Sequence, residues 1–152
     1  MHPDTKTNDN IVNSFVGIAA VQIGLTDVLK AVGIEPDFII GHGLGELGCA
    51  YADGCLTAEQ VILSVYYVGL ASIETPYIKG SMAVVGLGYN HVNLLLPLEL
   101  EVACQNGPNS STITGPANIM RTFVAKLVAQ GIYAEDITCY NIAYHSRYIA
   151  EV

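Results

Sequence analysis

The sequence predicts an α/β fold in which helices flank a parallel sheet, followed by a smaller region of order β-α-β-β-α-β. Two observations predict it: an apolar run that leads through a glycine-rich turn into a helix, and a later alternation of short strands with two helices. A chain of 152 residues with 51% hydrophobic content is long and apolar enough to bury a core.

The first part of the chain is organised around the stretch 37–46, Asp-Phe-Ile-Ile-Gly-His-Gly-Leu-Gly-Glu. The apolar residues up to Ile40 predict a short buried strand, and the glycines predict a tight turn into a helix. This is the layout of the nucleophile elbow of hydrolase-like sheets, where Gly-x-Ser-x-Gly presents a serine hydroxyl beside helix-start N–H groups. Gly43 occupies the serine position. On its own, Gly43 favours a simpler interpretation as a strand-to-helix turn, because glycine tolerates the dihedral angles that such a turn needs.

Three helices are expected around this stretch. The apolar pattern of 11–32 predicts the first, and 44–51 the second. Thr57 is expected to cap the third, with Gln60 at the capping-box position and an end near Glu74.

The region from Ser81 has the element order of a ferredoxin-like unit, with 106–109 as its hairpin connection. The expected strands are 81–86, 98–104, 110–114 and 132–138, and the expected helices are 90–96 and 116–130. We therefore expect a partial hydrolase-like core made of 11–80 and 139–152, which carries a ferredoxin-like subdomain at 81–138, with 77–80 as the connection into it.

The charge composition disfavours two classes of partner. Six Lys and Arg against 14 Asp and Glu give a net charge of −8, which disfavours nucleic acid and anionic membranes. Asn13, Ser14 and Gln22 interrupt the longest apolar stretch, so we expect no membrane span.

The cysteine and histidine spacing indicates neither a disulfide framework nor a metal site. The four cysteines contain no Cys-x-x-Cys pair, and the segment 1–8 is polar rather than a signal peptide. We expect a cytoplasmic protein with reduced thiols.

With these segments placed, the chain closely resembles the malonyl/acetyl transferase domain of animal-type fatty acid synthase. The resemblance spans residues 15–152 and rests on an ordered set of motifs. They are Ile23-Gly24-Leu25, Ile40-Gly41-His42, Leu44-Gly45-Glu46, Tyr51-Ala52-Asp53-Gly54-Cys55-Leu56, Ser81-Met82-Ala83-Val84-Val85-Gly86-Leu87, Thr112-Ile113-Thr114-Gly115-Pro116 and Tyr144-His145-Ser146.

The resemblance implies an activity and roles for particular residues. In that family the elbow serine takes the acyl group of an acyl-CoA, a histidine acts as general base, and the acyl group passes to an acyl carrier protein. His145 matches the base, and the N–H of Leu44 matches half of an oxyanion hole. His42 lies beside the elbow on the substrate side, with packing and hydrogen bonding as its expected role. The implied partners are acyl-CoA and acyl carrier protein, and no cofactor is implied.

The sequence departs from the family pattern in ways that bear on activity. Gly43 replaces the nucleophilic serine, and Val68 stands where the family carries the arginine that binds the malonyl carboxylate. Arg147 is a weaker candidate for that carboxylate. The chain also begins after the family's first strand and ends just after the histidine, as the middle of a domain would.

These observations lead to one functional expectation and leave two alternatives open. We expect an acyltransferase-domain homologue of fatty acid synthase that is catalytically impaired at Gly43. The first alternative is a non-catalytic scaffold module that binds acyl-CoA or carrier protein, and the second is a truncated fragment. Either a homo-oligomer or association with the rest of a larger synthase is compatible with the sequence.

Overall fold

The structure, a computed structural model, describes residues 11–75 and 78–149. They form two compact units, one ending at Glu74 and one beginning at Thr75, and each is described by itself. The expected polar tail at 1–8 lies outside the described residues, as do the first residue of the expected connection 77–80 and the last three residues of the chain.

The first unit consists of three helices, close to those predicted: α1 (Ile11–Ala31), α2 (Gly45–Ala52) and α3 (Ala58–Glu74). Its core is centred on Ala19 of α1 and on Val61 and Val65 of α3. The capping box before α3 is confirmed. The Thr57 N–H donates to Gln60 Oε1 at 2.8 Å, and the Gln60 N–H donates to Thr57 Oγ1 at 3.2 Å.

Helix α1 is long and apolar enough to cross a membrane by length and composition, which differs from the sequence expectation. Asn13, Ser14 and Gln22 do not lower its mean hydropathy enough to exclude a span. Core helices meet the same criterion, and α1 packs on α3 through Ala19. Its opposite face exposes apolar side chains: Ile18, Val21, Leu25, Val28 and Leu29.

The expected buried strand at 37–40 is wrong for this structure. Residues 38–40 have no strand pairing, and Phe38 and Ile40 are 90% and 94% exposed. An extended segment becomes a strand only when a neighbour pairs with its backbone groups, and none of the described residues does so. The expected parallel sheet is likewise absent from the described part of the chain.

The second unit has the predicted element order. Its elements are β1 (Gly80–Val85), α4 (Tyr89–Leu95), β2 (Glu101–Gly107), β3 (Ser110–Pro116), α5 (Ala117–Ala129) and β4 (Ala134–Ile137). The strands form one antiparallel sheet of order β2-β3-β1-β4. Its core cluster contains Ala83, Val85, Val92, Leu100, Ile113, Met120, Phe123 and Leu127.

Strand β2 starts three residues later than expected, because the Leu100 N–H donates to the Pro97 carbonyl and closes a turn there. Residues 139–149, which the sequence assigned with 11–80, make their described contacts within the second unit. For example, the Gly80 N–H donates to the Asn141 carbonyl at 2.8 Å, and Arg147 pairs with Glu101.

Candidate active site

The turn before α2 contains glycine at two positions, and the two glycines have different environments. Gly43 has φ +57°, in the left-handed region, and a Cβ added there would meet nothing within 4 Å. At Gly41 an added Cβ would stand 2.7 Å from the Glu46 backbone nitrogen, so only glycine lets the chain lie this close to α2. The turn therefore combines close approach at one glycine with a left-handed conformation at the next, and the space beside Gly43 is open.

The hydrogen bonds of this turn determine which N–H groups remain available. The N–H groups of Gly45, Glu46 and Leu47 donate to the carbonyls of His42, Gly43 and Leu44 at 3.0–3.1 Å. Among the described residues, no backbone carbonyl accepts the Leu44 N–H. Helix-start N–H groups without an intrahelical partner are suited to bind a developing negative charge. The Leu44 N–H thus has the properties expected of an oxyanion donor.

Gln22 of α1 packs against α2 and was not singled out by the sequence as a site residue. A Cβ at Gly48 would stand 2.7 Å from Gln22 Oε1, and one at Gly45 would stand 3.9 Å from Gln22 Nε2. The amide of Gln22 therefore lies against the first turns of the helix that follows the elbow. The only sequence signal for this residue is that it is polar inside an apolar helix.

His42 and Val68, the other candidates in the first unit, are both exposed. The carbonyl of His42 closes the turn, while its side chain is exposed rather than packed as expected. Val68 is 41% exposed on α3, beside the buried Gly69. Its aliphatic side chain offers no positive charge for a carboxylate.

His145 lies in the second unit, in a tightly held segment. It has φ +57°, which is uncommon for a residue other than glycine, and its side chain is exposed. Ser146, which follows His145, is buried, as is Ala143 two residues before it, while Tyr144 between them is half-buried. The Ser146 hydroxyl donates to the Ala143 carbonyl at 2.5 Å. The imidazole is therefore presented to solvent from a backbone that is anchored on both sides.

Arg147 is engaged within the second unit. Its Nε lies 3.0 Å from Glu101 Oε1, and its guanidinium also donates to the Leu98 carbonyl. A guanidinium that already has a carboxylate and a carbonyl partner is a poor candidate for a substrate carboxylate. The structure thus argues against the weaker candidate from the sequence.

Two side chains near α2 have shifted pKa values. A 2.5 Å hydrogen bond from the Tyr51 hydroxyl to Asp27 raises the pKa of Tyr51, and the negative charge of Asp27 adds to the shift. A hydrogen bond from the Cys55 thiol to Asp53 raises the pKa of Cys55. Both shifts disfavour the anion at neutral pH. Within the described residues, no group of three or more His, Cys, Asp or Glu is placed to hold a metal ion.

The structure brings Gly43, Leu44 and His42 together in one turn, places Val68 on a helix of the same unit, and places His145 in the other unit. A left-handed residue at a helix start, followed by an available N–H, is compatible with the backbone of a nucleophile elbow, and position 43 carries no side chain.

Comparison with known proteins gives the family. The chain matches the acyl transferase domain family over residues 1–152 and belongs to it. It is 38% identical over 141 residues to the low-reducing polyketide synthase drtA of Aspergillus calidoustus, covering 89% of this chain and 6% of that protein. It is 40% identical over 131 residues to the highly reducing polyketide synthase GPY1 of Gibberella fujikuroi, covering 84% of this chain and 5% of that protein. The chain thus spans a small fraction of these relatives, which are polyketide synthases, whereas the sequence resemblance named a fatty acid synthase.

Solved structures share the fold. A loading acyltransferase from the avermectin modular polyketide synthase superimposes with a TM-score of 0.87 at 25% identity, covering 98% of this chain and 48% of that one. The malonyl CoA-acyl carrier protein transacylase from Coxiella burnetii superimposes with a TM-score of 0.82 at 20% identity, covering 97% and 49%. The α/β fold of acyltransferase domains is therefore confirmed for this chain.

Proposed function

We propose that this chain is the acyltransferase region of a polyketide-synthase-type enzyme, in which Gly43 removes the acyl-enzyme step. The acyl donor is an acyl-CoA, and the acceptor is the thiol of an acyl carrier protein. The polyketide synthases among its relatives support the synthase class. The motifs shared with the malonyl/acetyl transferase of fatty acid synthase support the same chemistry with malonyl or acetyl groups, and that enzyme is the second candidate for the parent synthase.

The observation that carries the proposal is the turn itself. Gly43 keeps the left-handed conformation of an elbow, and the Leu44 N–H follows it at the start of α2. Covalent transfer needs a nucleophile that forms one bond to the acyl carbon while the thiolate of CoA leaves. Glycine has no side-chain atom to form that bond. The chain therefore keeps an oxyanion donor, the Leu44 N–H, but has no nucleophile at position 43.

The remaining site residues receive roles in the same proposal. His145 occupies the general-base position, because a neutral imidazole can accept the proton of a hydroxyl nucleophile. Val68 occupies the position of the carboxylate-binding arginine, so the chain has no charge there to favour malonyl over acetyl. His42 is the exposed neighbour of the elbow on the substrate side.

The proposal extends to the architecture and the setting. In a whole acyltransferase domain, 11–80 with 139–152 form part of a hydrolase-like core, and 81–138 form its ferredoxin-like subdomain. The exposed apolar face of α1 supports packing against further parts of a synthase. Four free cysteines support a cytoplasmic location.

A scaffold module that binds acyl-CoA without chemistry is an alternative favoured by one specific observation. The elbow backbone and its N–H donor are intact although the nucleophile is missing. Such a module would bind an acyl thioester through the Leu44 N–H and release it unchanged.

Intact-mass measurement and peptide mapping after incubation with acetyl-CoA and malonyl-CoA test the proposal. The native chain should gain no acyl group on the elbow peptide, and Gly43→Ser should gain one, with Gly43→Ala as the matched control. An adduct on the elbow peptide of the native chain would contradict the proposal. Calorimetric titration of the native chain with acetyl-CoA then tests the scaffold alternative, which requires saturable binding.

A further inference from the structure

One carboxylate, that of Glu101, makes two contacts between the start of β2 and the segment that follows His145. Glu101 Oε2 accepts the backbone N–H of Arg147 at 3.0 Å, while Oε1 pairs with Nε of the same residue at 3.0 Å. Glu101 therefore binds both the main chain and the side chain of Arg147, two residues beyond His145. These two contacts span 46 positions of sequence.

Two neighbouring contacts strengthen this attachment. The guanidinium of Arg147 donates to the Leu98 carbonyl, and the Tyr148 hydroxyl donates to the Glu99 carbonyl at 3.0 Å. Both acceptors lie just before β2. The segment 147–148 thus contacts 98–101 through one backbone N–H and two side chains.

The chain before His145 is anchored independently. The Gly80 N–H donates to the Asn141 carbonyl, and a Cβ at Gly80 would stand 2.3 Å from the Ala143 nitrogen. The backbone of 141–143 therefore lies directly on the start of β1. His145 stands between two fixed points, one on β1 and one on β2.

The conformation of His145 depends on such anchoring. A φ of +57° is disfavoured for residues with a Cβ, and it persists where the surroundings over-determine it. Tyr140 and Asn141 also have positive φ, so the approach to His145 contains further disfavoured dihedral angles. If one anchor were released, His145 would be held by fewer contacts, among them the bond from the Ser146 hydroxyl to the Ala143 carbonyl, and its φ and the direction of its imidazole would vary more.

We propose that Glu101 is a positioning residue for His145, which it holds in the left-handed conformation through the backbone N–H and side chain of Arg147. The positioning itself is a property of the second unit, and only its catalytic meaning rests on the proposed function. A plain surface ion pair would contribute little and would be screened by salt. The bond to the backbone N–H distinguishes this contact from such a pair, because it constrains the main chain next to His145.

Nuclear magnetic resonance of the full chain tests the positioning. In Glu101→Ala, amide exchange of Arg147 should accelerate by about tenfold or more, as expected when a hydrogen-bonded amide is released. The NOE between the His145 amide proton and its own Hα, which is strongest at positive φ because the two protons are then closest, should weaken. Glu101→Gln, which keeps the size but loses the charge, should show a smaller change in the same direction.

Glu99→Ala is the matched control, because that residue contributes its backbone carbonyl to the segment. The proposal is overturned if both Glu101 variants leave the Arg147 exchange and the His145 intraresidue NOE unchanged, or if Glu99→Ala changes them equally. Arg147→Lys keeps the backbone N–H bond to Glu101, so it should affect His145 less than Glu101→Ala does.

The catalytic meaning is tested separately in the Gly43→Ser background. There Glu101→Gln should lower kcat several-fold with little change in KM, because the base is misdirected while substrate binding is kept. If the resonance data change but kcat does not, the positioning stands and the base role of His145 fails. Unchanged resonance data contradict the positioning whatever the kinetics show.

Discussion

Gly41 lies against Cys49, so that a Cβ at position 41 would stand 2.6 Å from the Cys49 Sγ. The same Cβ would meet the backbone of Glu46 at 2.7 Å, and a helix backbone cannot move aside as the end of a flexible side chain can. The elbow can therefore pack this closely on α2 only because residue 41, two residues before the nucleophile position, is a glycine.

Gly41→Ala should destabilise the first unit by about 1–3 kcal/mol, the usual cost of overpacking. Denaturant unfolding followed by circular dichroism measures the effect. Gly17→Ala is the control, because a Cβ there meets nothing within 4 Å and the site is inside α1. It should stabilise the chain by up to about 1 kcal/mol through helix propensity. Equal stabilities of the two variants would show that the close packing at Gly41 is not required.

Val68→Arg should introduce a preference for malonyl once a nucleophile is present. In the Gly43→Ser background, the ratio of malonyl to acetyl turnover should rise by an amount equivalent to about 1.5–3 kcal/mol, the range for a hydrogen bond to a charged group. Competition between the two acyl-CoAs measures the ratio. Val68→Met is the control for size without charge, and a similar rise in that variant would rule out recognition of the carboxylate.

Cys55 should react slowly with alkylating reagents because Asp53 raises the pKa of its thiol. The hydrogen bond to the carboxylate is the main cause, followed by charge repulsion of the thiolate. Asp53→Asn should therefore accelerate alkylation of Cys55 near pH 8, as followed by peptide mass spectrometry. Glu59→Gln removes an equal charge in the same unit and should leave the rate unchanged. A rate unaffected by Asp53→Asn would contradict the assigned cause.

The hydrogen bond from Tyr51 to Asp27 should make the free energy of unfolding fall as the pH rises into the alkaline range. The folded pKa of Tyr51 is raised above its ordinary value of 10.0, so the stabilising contribution is present below pH 10 and is lost as pH rises through the folded pKa. Tyr51→Phe should remove this part of the pH dependence. The pKa of Tyr133 in the second unit is also raised, by a hydrogen bond to Glu135. Tyr133→Phe should therefore remove a separate part of the pH dependence and leave the part due to Tyr51 in place. Identical pH curves for the native chain and Tyr51→Phe would refute the linkage.

Local sequence signals predicted most of the helices and the order of the second unit. The capping box at Thr57 and Gln60 and the hairpin connection expected at 106–109 are properties of neighbouring residues, so they could be predicted from the sequence. The turn itself is shorter than expected, Pro108-Asn109, because Asn106 and Gly107 continue strand β2. The strand expected at 37–40 is not formed, because a strand also requires a pairing partner, which the local sequence does not specify.

The candidate site was predictable in part for a similar reason. The motif around Gly43 is continuous in sequence, so its turn could be expected before the structure was known. The bond between Glu101 and Arg147 joins distant segments, and the packing of Gln22 on Gly48 depends on how two helices meet. Such relationships arise from tertiary packing, which no local pattern encodes.

Steady-state thioester hydrolysis by Gly43→Ser tests the central claim most directly. The space beside Gly43 is open, so the introduced hydroxyl should fit, although the left-handed φ will cost about 1–2 kcal/mol. Free CoA released from acetyl-CoA should be detectable with Gly43→Ser, and absent with the native chain and with Gly43→Ala. Adding His145→Ala should reduce the rate by about a hundredfold or more, because general-base catalysis is lost. Hydrolysis by the native chain, or its absence in a folded Gly43→Ser variant, would contradict the claim that Gly43 alone removes the chemistry.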